Sequence, residues 1–83
     1  MTVPVRALFF AAYRDLLGMS ELSVDVAEGS TVADLVSSLR GRGHPWDVLP
    51  AEPAVALNRT YAALSEPLGA GDEVAFIPPV AGG

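Results

Sequence analysis

An α+β fold, with one main helix laid across a mixed sheet in the order ββαβββ, is predicted by three features of the sequence. Segments with the period-2 alternation or β-branched content of strands stand on either side of a single helical stripe. Glycine- and proline-rich turns separate them at short intervals. The chain has 83 residues, 51% of them hydrophobic, which is enough for one core and too few for two.

Val3 to Phe10 is the first strand, rich in β-formers and unbroken after Pro4. Ala11 to Leu17 favours a helical turn that Gly18 would end. From Glu21 to Val26 the pattern alternates, with Leu22, Val24 and Val26 on one side and Glu21, Ser23 and Asp25 on the other. That is a half-buried strand, and with the first it makes an N-terminal hairpin. Thr31-Val32-Ala33-Asp34 is a capping-box variant, and Val32, Leu35, Val36 and Leu39 form one apolar helical stripe. Gly41 and Gly43 supply stop signals. Residues 43–53 read as a loop in which Trp46, Val48 and Leu49 plug the edge of the core. Ala54–Leu57 and Tyr61–Leu64 are short strands around an Asn58-Arg59 turn, and residues 68–71 are a second turn. Asp72 to Ile77 is the last strand. A helix with one apolar stripe must cross one face of the sheet, which is the β-grasp arrangement of ubiquitin. Residues 1–77 form this domain, and residues 78–83 form a flexible tail.

Composition excludes several kinds of chemistry. There is no cysteine, so disulfides, thiolate metal sites and a thiol nucleophile are impossible. All five basic residues are arginines (Arg6, Arg14, Arg40, Arg42 and Arg59), and without lysine neither a Schiff base nor a Walker-type loop can be built. A net charge of −5 argues against nucleic acid and for a basic protein partner. The lone His44 has no arrangement of acids around it that would bind a metal, so no metal site is expected. Gly69-Ala70-Gly71 precedes a strand rather than a helix and is a turn. Asp72 and Glu73 are adjacent, so they face opposite ways and cannot act as an acid–base pair. Asp72 should support the turn and Glu73 should solvate the open face. No signal peptide or membrane span is legible, which predicts a cytoplasmic protein.

The tail is where chemistry can happen. Pro78 and Pro79 fix φ and lack N–H donors, so the last strand must stop there and continue extended. Six extended residues reach roughly 20 Å, enough to enter another protein's deep site. Gly82 and Gly83 lack Cβ atoms and can thread a narrow tunnel. A carboxylate so presented can meet a nucleotide's α-phosphate, as adenylation of a C-terminus requires.

The run Gly71-Asp72-Glu73-Val74-Ala75-Phe76-Ile77-Pro78-Pro79-Val80-Ala81-Gly82-Gly83 resembles the C-terminus of the small subunit of molybdopterin synthase. Leu8 to Gly18 and Ala56-Leu57-Asn58-Arg59-Thr60 resemble the same family. This resemblance implies a sulfur carrier that is no enzyme on its own and has no permanently bound cofactor. Gly83 would be adenylated with ATP by a ubiquitin-activating-like adenylyltransferase and converted to a thiocarboxylate. The large subunit, in a heterotetramer of two small and two large chains, would then pass the sulfur to cyclic pyranopterin monophosphate. Alternatives are a thiamine-pathway or tRNA-thiolation sulfur carrier, a ubiquitin-like protein tag, or a plain β-grasp interaction domain with an inert tail. The Phe-Ile-Pro-Pro-Val run favours the molybdopterin family over the thiamine one.

Strand parity adds a docking patch. With Arg6 facing water, Leu8 and Phe10 share its side while Val5, Ala7 and Phe9 face the core. In the last strand Ala75 and Ile77 go with Glu73, and Val74 and Phe76 point inward. Leu8, Phe10, Ala75 and Ile77, joined by Tyr61, are therefore expected to form one apolar patch for a partner beside the tail.

Overall fold

Alternation along the first strand decides where the rest of the chain packs. In the computed structural model, which describes residues 1–79, Val5, Ala7 and Phe9 are buried and Arg6 lies on the opposite, open face. The elements are β1 (Thr2–Phe9), α1 (Ala11–Leu17), β2 (Glu21–Ala27), α2 (Val32–Arg40), a 3-10 turn at Trp46–Val48, β3 (Ala54–Leu57), β4 (Thr60–Ala62) and β5 (Glu73–Ile77). They make a five-stranded sheet in the order β2-β1-β5-β3-β4. β1 and β5 are parallel; the other three pairings are antiparallel. This is the mixed sheet and single crossing helix of the β-grasp fold.

The core lies between the sheet and α2. Val32, Leu35, Val36 and Leu39 are each at most 1% exposed, so the helical stripe is wholly covered. Across from it Phe9 and Phe76 are register partners with ring centroids 5.4 Å apart, and Trp46 meets Phe9 edge-on at 5.6 Å. Among the described residues no polar or charged side chain is buried.

The start of α2 shows how its orphan donors are satisfied. Thr31 Oγ1 accepts from the Asp34 amide at 3.3 Å, while Asp34 Oδ2 accepts from the Thr31 amide at 2.9 Å, completing the capping box. The Val32 and Ala33 amides donate to the carbonyls of Glu66 and Leu64. That second contact explains why β4 is shorter than the alternation around Tyr61–Leu64 suggests. The Leu64 carbonyl caps the helix instead of continuing a ladder.

Other departures are local. α1 is a helix of 7 residues closed by Gly18 at φ +72, whose amide donates to the Arg14 carbonyl. Gly41 closes α2 as its C-cap in a right-handed conformation, and Gly43 beyond it is left-handed. Val48 is 41% exposed and does not plug the core; Leu49 does, with the half-buried Trp46. Its position is held by Arg40, whose Nε donates to the Leu49 carbonyl at 2.8 Å.

Replacing the capping threonine, Thr31→Ala, should lower stability by about 1 kcal/mol. A urea titration followed by circular dichroism would show an earlier midpoint. An unchanged midpoint would mean that the box contributes nothing to the fold.

Candidate functional site

Because β1 and β5 are parallel, their C-terminal ends lie side by side, and β3 begins at the same end through the pairing of Ala54 with Ile77. Phe10, Ala54, Ile77 and Pro78 therefore converge at one end of the sheet. Neither Pro78 nor Pro79 belongs to a strand, and two successive residues without N–H donors favour an end to the ladder there. Pro78 is half-buried and Pro79 exposed. Both line a cleft of ≈ 340 Å³ together with Tyr13, Glu52, Pro53 and Tyr61. The remaining predicted tail residues, Val80, Ala81, Gly82 and Gly83, lie outside the described residues.

Register places three of the five predicted patch residues, Leu8, Ala75 and Tyr61, on one line. Leu8 pairs with Ala75, Ala75 with Ala56, and Ala56 with Tyr61, so a single row crosses four strands on the open face. Phe10, in extended geometry at φ −119, continues the parity of β1 and is 46% exposed. Tyr61 is 77% exposed and stands clear of the sheet. Leu8 and Ile77 are half-buried. Ala75 is only 8% exposed and Ala56 9%, so the row has a floor of two methyl groups with larger side chains at its ends. Ala75 is thus floor rather than contact surface.

Beside this row lies an ionic one. Arg6 and Glu73 are register partners, with Arg6 Nη2 2.6 Å from Glu73 Oε1 and Nη1 3.5 Å from Glu21 Oε1. Glu73, expected to solvate the open face, is instead engaged by Arg6 and its side chain is 19% exposed. At the start of β5, Asn58 Nδ2 donates to Asp72 Oδ1 at 3.0 Å and Asn58 Oδ1 accepts from the Glu73 amide at 2.9 Å. Asp72 Oδ2 also accepts from the Gly69 amide at 2.7 Å, the turn-supporting role expected of it. Asn58 and Arg59 adopt φ +50 and +72, the two positive values of a tight hairpin turn. The sequence showed this turn but not the clamp it makes on β5. Nor did it show the cleft, whose walls come from four separate segments.

The comparisons with known proteins agree along the whole length. The model of the ThiS family matches residues 7–83. The chain belongs to the ThiS family. Among curated relatives of this ThiS-family chain, the molybdopterin synthase sulfur carrier subunit of Escherichia coli K12 is 36% identical, over 95% of this chain and 99% of that one. Its counterpart in Mycobacterium tuberculosis is 40% identical, over 98% and 99%. The crystal structure of SAMP1 from Haloferax volcanii superposes with a TM-score of 0.80 at 35% identity, covering 96% of this chain and 99% of that one. Subunit 1 of the molybdopterin-converting factor of Helicobacter pylori, solved in complex with subunit 2, shares the fold at 23% identity and a TM-score of 0.69, covering 98% and 100%.

Burial of Tyr13 pushes its phenol above the ordinary value of 10.0. A raised value in the folded state means that the stability contributed by the neutral ring is fully present below pH 10 and is lost as pH climbs through the folded value. Only two tyrosines are present, so Tyr61→Phe leaves Tyr13 as the sole tyrosinate chromophore. Its ultraviolet titration should run above that of the urea-unfolded chain. Coincident curves would contradict the burial.

Proposed function

We propose that this chain is the sulfur carrier subunit of a molybdopterin synthase, acting through the carboxylate of Gly83. The near end-to-end similarity to proteins of that name, 40% identical over 98% of this chain, carries the reading, with the family match continuing through Gly83. In the first step a Gly83 carboxylate oxygen attacks the α-phosphate of ATP on an activating enzyme, and pyrophosphate leaves. A sulfur nucleophile then displaces AMP, because a free carboxylate is a poor acyl donor and its mixed anhydride a good one. The sulfur of the resulting thiocarboxylate bonds to cyclic pyranopterin monophosphate in the large subunit, and water then cleaves the acyl–sulfur bond, leaving the sulfur on the pterin and regenerating the carboxylate.

What this chain's residues contribute is presentation. Pro78 and Pro79 end the strand at the root of the tail. Gly82 and Gly83 keep the reacting end slim, and the absence of cysteine leaves no internal thiol to intercept the activated acyl group. Leu8, Phe10, Tyr61 and Ile77, around the Ala75 floor, supply the apolar surface on which the large subunit would seat beside the tail. A complex of the equivalent two subunits in Helicobacter pylori supports that pairing.

A second reading, a protein modifier joined through the same glycine, is favoured by the 35% identity to SAMP1. It shares the activation step and differs in the acceptor, which would be an amine on a target protein.

Intact and tandem mass spectrometry of the chain, purified from cells making molybdenum cofactor, separates these outcomes. The carrier reading expects one oxygen replaced by sulfur at Gly83, and conjugates through an amide would establish the modifier instead. A chain that keeps a plain carboxylate while its host makes the cofactor would overturn the carrier reading. Phe10→Ser and Ile77→Asp should preserve the far-ultraviolet spectrum yet weaken large-subunit binding at least about tenfold, or 1.4 kcal/mol. Wild-type affinity in both variants would remove the docking role from this face.

A further inference from the structure

The cleft beside the tail root contains a carboxylate that the carrier reading does not use. Tyr13, Tyr61, Pro53 and Pro78 give it ring and methylene walls, and Glu52 is its one carboxylate. Among the described residues Glu52 makes no ion pair and no side-chain hydrogen bond. Four of the five arginines are engaged elsewhere, and the fifth, the exposed Arg59, lies in the turn between β3 and β4, at the opposite end of β3 from Ala54. Arg6 holds Glu73 and Glu21, Arg14 pairs with Asp15, Arg40 bonds the Leu49 carbonyl, and Arg42 stacks 5.4 Å over the Trp46 ring.

Three kinds of occupant can be compared. An anion would meet Glu52 and the field of a chain with net charge −5. A purely apolar side chain would fill the walls but desolvate Glu52 without giving it a partner, which is unfavourable. A long cationic side chain satisfies both parts. Its methylene stem lies along proline and tyrosine, and its head reaches the carboxylate with a ring face nearby. The Tyr13 phenol, raised above its ordinary value by burial, is an uncharged wall, so Glu52 is the cleft's one anion. A volume of ≈ 340 Å³ lies near the lower end for small-molecule sites and accommodates one such side chain.

We propose that this cleft receives an arginine or lysine side chain from the protein that takes up the tail, with Glu52 as the recognising anion and Tyr13 and Tyr61 as its walls. The choice of partner rests on the carrier reading; the cation specificity of the cleft does not. One cation seated at the root of the tail would fix the direction in which the tail enters, because the cleft wall includes Pro78 and Pro79 themselves.

The test has two arms. In the first, the isotopically labelled full chain is titrated with N-acetyl-arginine N-methylamide and, separately, with the uncharged citrulline analogue, and followed by nuclear magnetic resonance. Saturable shifts at Tyr13, Glu52 and Tyr61 are expected with the arginine compound alone, and they should disappear in Glu52→Gln. Shifts no larger than those at the exposed Glu28, or shifts that persist in Glu52→Gln, overturn the proposal whatever the tail does. In the second arm, Glu52→Gln should raise the Kd for the large subunit or the activating enzyme roughly tenfold and flatten its salt dependence, with Glu28→Gln as the unaffected control. Wild-type affinity and salt slope toward both proteins would reject the cleft as a docking point. Dimerisation of the wild-type chain that Glu52→Gln abolishes would also overturn it, by making a second copy the occupant. Absence of sulfur at Gly83 would count against the carrier reading alone and leave the first arm standing.

Discussion

The parallel pairing of β1 with β5 joins residues as far apart as Arg6 and Glu73, 67 positions along the chain, and the rest of the molecule is arranged around it. A parallel pair cannot be closed by a tight turn, so everything between the two strands must cross over and pack. Closing so long a loop costs chain entropy, which apolar contact has to offset. Phe9 against Phe76, both at most 1% exposed, provides it at the centre of the core. α2 then has a continuous apolar surface to cover.

The same pairing produces the site. Parallel strands end together, so the last residues of β1 flank the point where the chain leaves β5. An antiparallel arrangement would have sent Phe10 and Pro78 to opposite ends of the sheet. Leu8, Ala75, Ala56 and Tyr61 fall on one line because each strand's register is fixed to its neighbour's. The Asn58 clamp at the start of β5 holds that register from the far end. In a chain this small the core has little stability to spare, and the position of Pro78 and the open-face row therefore depend on the same few contacts.

Most of this was legible in the sequence because it depends on periodicity. Alternation in Glu21–Val26, the stripe from Val32 to Leu39 and the parity of Phe9 against Phe10 are each decided by one geometric rule. Features that depend on contacts between distant segments were not legible. Whether Tyr61–Leu64 continues as a strand depends on the Leu64 carbonyl meeting the amide of Ala33. Whether Glu73 is solvated depends on Arg6 being its register partner. The cleft needs Tyr13, Glu52, Tyr61 and Pro78 to meet, and no local pattern announces that. The chemistry proposed for the Gly-Gly terminus rests on residue type, not on packing.

Carrier function, on this account, requires little more than a rigid sheet end and a slender acyl group projected from it. Nothing in the domain needs to perform catalysis, and the residues around the exit serve to aim and to dock. ATP–pyrophosphate exchange catalysed by the cognate activating enzyme tests that claim most directly, since it reads formation of the acyl adenylate alone. The wild-type chain should support exchange, and the same chain lacking only Gly83 should support none while keeping its fold. Equal exchange by both would contradict the assignment of the reactive end.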